Sequence, residues 1–445
     1  MSAATLQAQD ITGSWNGKAE FGLRSLRLVF HIERTAGGYS ATMDSPDQGA
    51  KGIPASSASF ERDTLRIAVS QIDFTYTGVP EGNKMRGSVT QRGNTYPLNL
   101  ERGDVVLNRP QEPKPPYPYR SEDVVFENGA AGIKLAGTLT MPSEGKKFPA
   151  VVLLTGSGAQ NRDEEMLGHK PFLVLADHLT RQGIAVLRFD DRGFGQSEGD
   201  RSTATTADYA TDASAAVDYL RTRKEIDKKK IGLLGHSEGA ALAFMTAAER
   251  HDVAFVVSMA GAAMPGDEIL IRQNRDILKA EKDVPEGYVD YYIETLRKTY
   301  DMVRLHDAKY LKANADRLAS EVTGPSLYYV QTHDNIRQIL EQASQPWLNF
   351  FVKYDPAKDI RRVTVPVMAL NGNRDLQVSP GNLALIESAL REAGVERFSI
   401  KEYPGLNHLF QTSQTGKVQE YGQIEETVSP RVLEDIANWI LRITK

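Results

Sequence analysis

Two different rhythms of apolar residues divide the chain. From Ile11 to about Glu101 apolar and polar positions alternate in short runs. Residues 15–21, 26–32, 39–43, 64–69, 74–77, 84–89 and 96–100 each read as a strand. Turn residues separate the runs, and Gly37-Gly38, Gly82-Asn83 and Gly93-Asn94 stand where hairpins would turn. The pattern predicts a small all-β domain, a sandwich or barrel, over residues 1–108. Tyr76 and Tyr96 would suit sugar binding if exposed, although packing in the core is the simpler role. Arg109-Pro-Gln-Glu-Pro-Lys-Pro-Pro-Tyr-Pro-Tyr119 then reads as a stiff linker, taken as residues 109–120.

Beyond the linker, strand patterns alternate with helical ones. Residues 123–126 and 133–141 look like an antiparallel pair. Residues 150–154 form a continuous apolar run, as a strand buried on both faces should. Further strands are expected at 184–189, 231–234, 253–258, 365–370 and 398–402, and helices at 171–182, 207–222, 240–249, 382–393 and 430–443. This alternation predicts an α/β domain over residues 121–445, a mostly parallel sheet flanked by helices. Between Ala260 and Val363 the repeat stops, and helical patterns occupy 268–281, 286–303, 308–318 and 334–341. An insertion there lies at the carboxyl ends of the strands, where ligands bind in open α/β sheets. Residues of about 264–355 are therefore expected to form a helical cap. Tyr288, Tyr291, Tyr292, Tyr328, Tyr329, Trp347, Phe350 and Phe351 could line its underside or pack its own core.

Composition narrows the chemistry. The 445 residues carry a net charge of -5, which offers no electrostatic footprint for nucleic acid. No apolar run is long enough for a membrane span. Cysteine is absent, which removes disulfides, thiolate metal sites and a cysteine nucleophile. No ligand cluster is visible, so neither a metal nor an organic cofactor is expected. Residues 1–9 are small and polar, like the last residues of a trimmed secretory signal or an ordinary frayed terminus. The first reading places the protein in the periplasm or outside the cell, the second in the cytoplasm. Oligomeric state is not legible.

The chemistry centres on residues 229–249. Ile231 to Leu234 is a buried-strand run, Gly235-His-Ser-Glu-Gly239 a tight turn, and Ala240 onward a helix of small residues. A serine hydroxyl is a weak nucleophile, so it must be held at an exposed, strained turn within reach of a base. Ser237 fits that requirement, although a serine before a helix also serves as an ordinary cap. A second G-x-S-x-G occurs at Gly195-Gln-Ser-Glu-Gly199. It follows Asp190-Asp-Arg-Gly193 rather than a strand, so Ser197 reads as a loop serine. Of the eight histidines, His408 stands on a loop after the last strand, where an imidazole can reach Ser237. Asp375 follows the strand at 365–370 and lies between the two in sequence. Ser237, Asp375, His408 is the chain order that a nucleophile-elbow hydrolase uses. The oxyanion hole should take the N–H of Glu238 and one from the Thr155-Gly-Ser-Gly-Ala-Gln160 loop, Ser157 first and Gly158 second.

From about Asp123 the chain resembles α/β-hydrolases, in particular the bacterial carboxylesterase branch related to prolyl-oligopeptidase-like and dienelactone-hydrolase-like enzymes. The resemblance is carried by Gly156-Ser-Gly-Ala-Gln-Asn-Arg-Asp-Glu164, Asp190-Asp-Arg-Gly-Phe-Gly-Gln-Ser197, Gly235-His-Ser-Glu-Gly239, Pro346-Trp-Leu-Asn-Phe-Phe-Val-Lys-Tyr-Asp355, Asn371-Gly-Asn-Arg-Asp375 and Gly405-Leu-Asn-His408. Met43 to Pro54 is similar to the β domain that precedes such esterases in exported bacterial proteins. The loop at 156–158 lacks the His-Gly opening of many lipases. The resemblance implies a serine hydrolase but does not carry over a substrate; the first reading of the site is a serine esterase acting on short or medium acyl, or aryl, esters, small or saccharide-linked. An amidase, peptidase or thioesterase with the same site is the alternative, and an inactive polysaccharide-binding protein is a third.

Overall fold

The computed structural model describes residues 10–21, 24–48, 50–104 and 108–445. The stretch 1–9, with its signal-like composition, lies outside them. Two compact units emerge. The first takes the chain up to Pro110 together with Met166–His169 and Tyr421–Glu425, and the second takes the remainder.

The first unit is built of antiparallel strands: β1 (Gly13–Phe21), β2 (Arg24–Thr35), β3 (Gly38–Ser45), β4 (Ala50–Pro54), β5 (Ser57–Glu61), β6 (Thr64–Val69), β7 (Phe74–Glu81), β8 (Lys84–Gln91), β9 (Asn94–Pro97) and β10 (Leu100–Arg102). The order β10-β1-β2-β3-β5-β6-β7-β8 closes on itself through β8 and β10, so the unit is a barrel. Closure removes exposed edges, which an open sheet would have to protect. Alternation along β7 sends Phe74 and Tyr76 inward, where Tyr76 stacks on Phe30 with ring centroids 5.2 Å apart. Tyr76 is thus a core residue, and Tyr96 packs half-buried against the same cluster. β4, Ala-Lys-Gly-Ile-Pro, has no apolar alternation, and β5, Ser-Ala-Ser-Phe-Glu, alternates only through Ala58 and Phe60. Ladder pairing with β3 and β6 makes them strands. The β8–β9 hairpin turns on Arg92-Gly93, one residue earlier than expected, because both adopt positive φ (48° and 78°) between the paired Gln91 and Asn94.

The second unit carries an eight-stranded sheet in the order β11-β12-β14-β13-β15-β16-β17-β18. Its strands are β11 (Arg120–Asn128), β12 (Ile133–Met141), β13 (Phe148–Leu154), β14 (Ala185–Phe189), β15 (Ile226–His236), β16 (Val256–Met259), β17 (Val367–Gly372) and β18 (Phe398–Tyr403). β12 pairs antiparallel with both β11 and β14, and every later pairing is parallel. Helices α1 (Pro171–Arg181), α2 (Thr206–Thr222) and α3 (Glu238–Glu249) are joined by α4 (Gly266–Ala280), α5 (Glu286–Leu305), α6 (Ala308–Thr323), α7 (Tyr329–Gln342), α8 (Pro346–Lys353) and α9 (Pro356–Ile360). The series closes with α10 (Asn382–Glu392), the single turn α11 (Val418–Tyr421) and α12 (Pro430–Ile443). One apolar cluster joins the sheet to α2, α3 and α10, and a second joins its other face to α1 and α12. Both faces are covered, which is why the parallel strands lack alternation.

Helices α4 to α9 occupy the stretch between β16 and β17, and α4 to α8 share a third apolar core around Leu296, Leu318 and Ile336. Tyr292 is buried in it, and Tyr288 and Tyr328 meet edge to face at its side. The proline-rich segment from Gln111 belongs to the second unit. There Gln111 Oε1 accepts the Thr427 N–H at 2.6 Å, and the Tyr119 hydroxyl donates to Asp177 at 2.9 Å. Among the described residues no helix is long and apolar enough to cross a membrane.

Candidate active site

β15 ends in a sharp turn, and α3 begins directly after it. Ser237, at the corner, holds φ 54° and ψ -118°, a conformation that a side chain with a Cβ adopts only under constraint. Two glycines permit the corner: a Cβ on Gly235 would lie 2.0 Å from the Gly239 carbonyl oxygen, and one on Gly239 would lie 2.1 Å from that of Leu154. The Ser237 N–H donates to the Met259 carbonyl on the neighbouring strand at 2.8 Å, which fixes the corner to the sheet. Its side chain makes no capping bond to α3, so the ordinary capping role is vacant.

Asp375 and His408 meet. The Nδ1–H of His408 donates to Asp375 Oδ2 at 2.7 Å, and both residues are almost wholly buried. The other oxygen of Asp375 accepts the N–H groups of Gln377 and Val378 at 2.8 and 2.9 Å. With Nδ1–H donating to this carboxylate, the geometry leaves Nε2 of His408 as the nitrogen able to accept a proton. The His408 ring lies 4.7 Å from that of His236, the residue before Ser237, so the loop after β18 reaches the corner. Among the described residues no hydrogen bond links the Ser237 hydroxyl to His408. Such contacts are commonly long before substrate binds.

The loop at 155–160 lies beside the corner: a Cβ on Gly156 would stand 3.3 Å from the Cβ of Ser237. Two buried carboxylates hold this loop. Asp191 accepts the Thr155 hydroxyl at 2.7 Å and the Gln160 N–H at 2.8 Å, and Glu164 accepts the Gly156 N–H at 2.7 Å. Burial, helped by the charges of Glu164 and Glu238, pushes Asp191 up to about 7. Glu238 is itself buried and shifted upward by desolvation, against the bonds donated by the Thr206 hydroxyl (2.7 Å) and Trp347 Nε1 (2.9 Å). Trp347 stands on α8, so this bond ties the helical insertion to the corner.

Two cavities flank these groups and share Ser157, Glu238 and Trp347. One, of ≈ 80 Å³, is lined by Ser237, Ala241, Ile269, Trp347 and Phe351 among others. The other, of ≈ 500 Å³, includes Gly158, Asp191, Arg201 and Tyr209. Of the cap aromatics named from sequence, Trp347 and Phe351 reach the first cavity. Phe350 lines a different surface with Asn349 and Lys353. Sequence reasoning missed Glu164 and Asp191, because their value lies in contacts with residues far along the chain. Ser197 is structural: its hydroxyl donates to the Asp190 carbonyl at 2.7 Å and accepts the Ala136 N–H at 2.9 Å. Among the described residues no group of histidines and carboxylates is arranged to hold a metal.

The family model of serine aminopeptidase, S33, matches residues 170–413, more than half of the chain. The chain belongs to the S33 family. This S33 chain has the α/β-hydrolase fold in its second unit and a barrel before it in sequence. It is 28% identical over 308 residues to esterase EstD of Thermotoga maritima, an alignment covering 69% of the chain and 66% of that protein. The chain thus spans slightly less than two thirds of that relative's length. Thiohydrolase apmlB of Arthrinium phaeospermum is 34% identical over 146 residues, 33% of the chain and 44% of that protein. Among solved structures, a Pyrococcus furiosus esterase has a TM-score of 0.44 at 15% identity, covering 77% of the chain and 100% of its own. Est1E of Butyrivibrio proteoclasticus with ferulic acid bound has a TM-score of 0.42 at 17% identity, covering 72% of the chain and 97% of its own.

Proposed function

We propose that the chain is a carboxylesterase that cleaves short acyl esters through Ser237, His408 and Asp375. The observation that carries the reading is the buried Asp375–His408 hydrogen bond of 2.7 Å on a loop that touches the strained corner at Ser237. In this scheme Ser237 Oγ attacks the ester carbonyl while His408 Nε2 takes its proton. Asp375 holds the Nδ1–H tautomer and stabilises the imidazolium. The N–H groups of Glu238 and Ser157, with Gly158 as the neighbouring candidate, receive the oxyanion. His408 returns the proton to the departing alcohol, and water, activated the same way, releases the acid.

Short acyl groups are favoured by the apolar cavity beside Ser237. Its ≈ 80 Å³ is small beside the ≈ 500 Å³ of the neighbouring cavity. Helices α4 to α9 act as a cap in this reading, with Trp347 and Phe351 closing the acyl side. The larger cavity, which Asp191, Arg201 and Ser202 line in part, suits the alcohol portion. EstD is named an esterase, which supports the choice of bond. The family description, naming aminopeptidases, supports amide cleavage as the second reading.

A panel of p-nitrophenyl esters and aminoacyl anilides separates the two. Acetate and butyrate should turn over fastest, decanoate poorly, and Ser237→Ala should abolish all of it. Anilide turnover above ester turnover would transfer the assignment to the amidase, and ester hydrolysis persisting in Ser237→Ala would end the serine reading.

A further inference from the structure

His236 immediately precedes the proposed nucleophile, yet neither of its ring nitrogens is directed at the reacting atoms. Nδ1 lies 3.0 Å from Glu164 Oε1, and Nε2 lies 2.9 Å from the backbone carbonyl oxygen of His408. Both partners are acceptors: a carboxylate oxygen and a carbonyl oxygen carry no proton to give. With Glu164 as the carboxylate, both contacts are hydrogen bonds only when both ring nitrogens are protonated. Glu164 Oε1 also accepts the N–H of Gly156, in the loop that carries the Ser157 and Gly158 amides. One buried pair therefore touches the backbone of the loop bearing the base and the backbone of the loop proposed to receive the oxyanion. Glu164 reaches this place at a φ of 51°, in the left-handed region that a residue with a Cβ occupies only when its surroundings hold it there.

We propose that Glu164 and a protonated His236 form a buried positioning couple. It holds the His408 carbonyl and the Gly156 N–H from a single point beneath the nucleophile, and so sets the spacing between base and oxyanion hole. The inference rests on the Ser237 reading. Neither residue touches substrate in it. The cation also acts on His408 electrostatically. With the rings 4.7 Å apart, a protonated His236 places a positive charge directly beside the base. The titratable groups facing His236 are Glu164, His408 and Asp375, and Asp191 and Glu238 lie behind them around the 155–160 loop. Burial works against a charged His236. The Glu164 carboxylate, the His408 carbonyl and Asp375 together outweigh it and raise its pKa.

Two amides divide the role of this imidazole. Glutamine places an N–H where Nε2 stands and keeps the bond to His408, whereas asparagine imitates Nδ1 and keeps only the bond to Glu164. With p-nitrophenyl acetate, His236→Gln should retain kcat within about tenfold, and His236→Asn should lose about 100-fold, KM changing by less than about threefold in both. Both variants remove the cation, so the acidic limb of kcat/KM should move upward by as much as about one pH unit. A packing role alone would alter stability and leave that limb in place. Equal kcat in the wild type and both variants, or an unmoved limb, at equal folded fraction by circular dichroism, overturns the proposal.

Should neither variant fold, nitrogen-15 spectra of the wild-type imidazoles decide the matter. His236 should keep both ring protons at pH 8, and a neutral ring there refutes the couple. Loss of all turnover in Ser237→Ala with unperturbed His236 variants would remove this inference alone. Persistent turnover in Ser237→Ala would remove the underlying reading.

Discussion

A carboxylate that only accepts hydrogen bonds does one thing for an imidazole: it decides which nitrogen carries the proton. Asp375 accepts from His408 Nδ1 on one oxygen and from two backbone N–H groups on the other, so its side chain has no freedom to turn away. Asp375→Asn preserves shape and the two backbone bonds but presents an NH₂ group to Nδ1, forcing the proton onto Nε2. We expect kcat on p-nitrophenyl acetate to fall on the order of 10⁴-fold, with the melting temperature nearly unchanged. A loss below about tenfold would show that Asp375 does not orient the base. The same accounting explains why Ser197, within an equally good motif, is not a nucleophile candidate: its hydroxyl is already spent on a backbone carbonyl and a backbone N–H.

Among elements, the junction of α8 with the start of α3 is the contact that joins the insertion to the chemistry. Trp347 Nε1 donates to both oxygens of the buried Glu238 carboxylate, at 2.9 and 3.1 Å. Hydrogen bonds to buried charges are worth about 1.5–3 kcal/mol, more than neutral ones. Trp347→Phe keeps the ring in the acyl-side cavity and deletes the donor, so it isolates that bond. With one donor fewer, Glu238 must rise further above its ordinary pKa, and α8 loses its hold on the corner. The expected result is a roughly tenfold fall in kcat/KM carried mainly by KM. An unchanged KM would mean that α8 is placed by the insertion's own apolar core alone.

On the scale of the molecule, the two units have separate apolar cores. The barrel cluster around Trp15, Ile67 and Tyr76 shares no member with the clusters that sandwich the sheet. Ile67 is fully buried, and Ile67→Ala should cost about 3 kcal/mol by lost transfer energy and the cavity left behind. Calorimetry should show that cost confined to one transition, while kcat/KM for p-nitrophenyl acetate at 25 °C stays within twofold of wild type. A parallel loss of activity would show that the barrel's stability is coupled to the site.

Much of this protein was readable before any coordinate. The change from period-two alternation to apolar runs between helices is a local signal, and it announced a β unit followed by a sheet flanked by helices. The elbow was equally readable, since two glycines around a serine between a buried strand and a small-residue helix state their geometry locally. Strands such as Ala50–Pro54, the short helices α8 and α9, and the turn at Arg92-Gly93 escaped, because pairing and packing partners outweighed weak local preference there. The surroundings of the candidate triad escaped for a deeper reason. Glu164 and His236 are 72 residues apart, and His236 and the His408 carbonyl 172. A hydrogen bond across such separations has no periodicity to betray it. The candidate nucleophile and base were written in local sequence, whereas the groups packed around them were chosen by the sheet order that gathers distant loops at one corner.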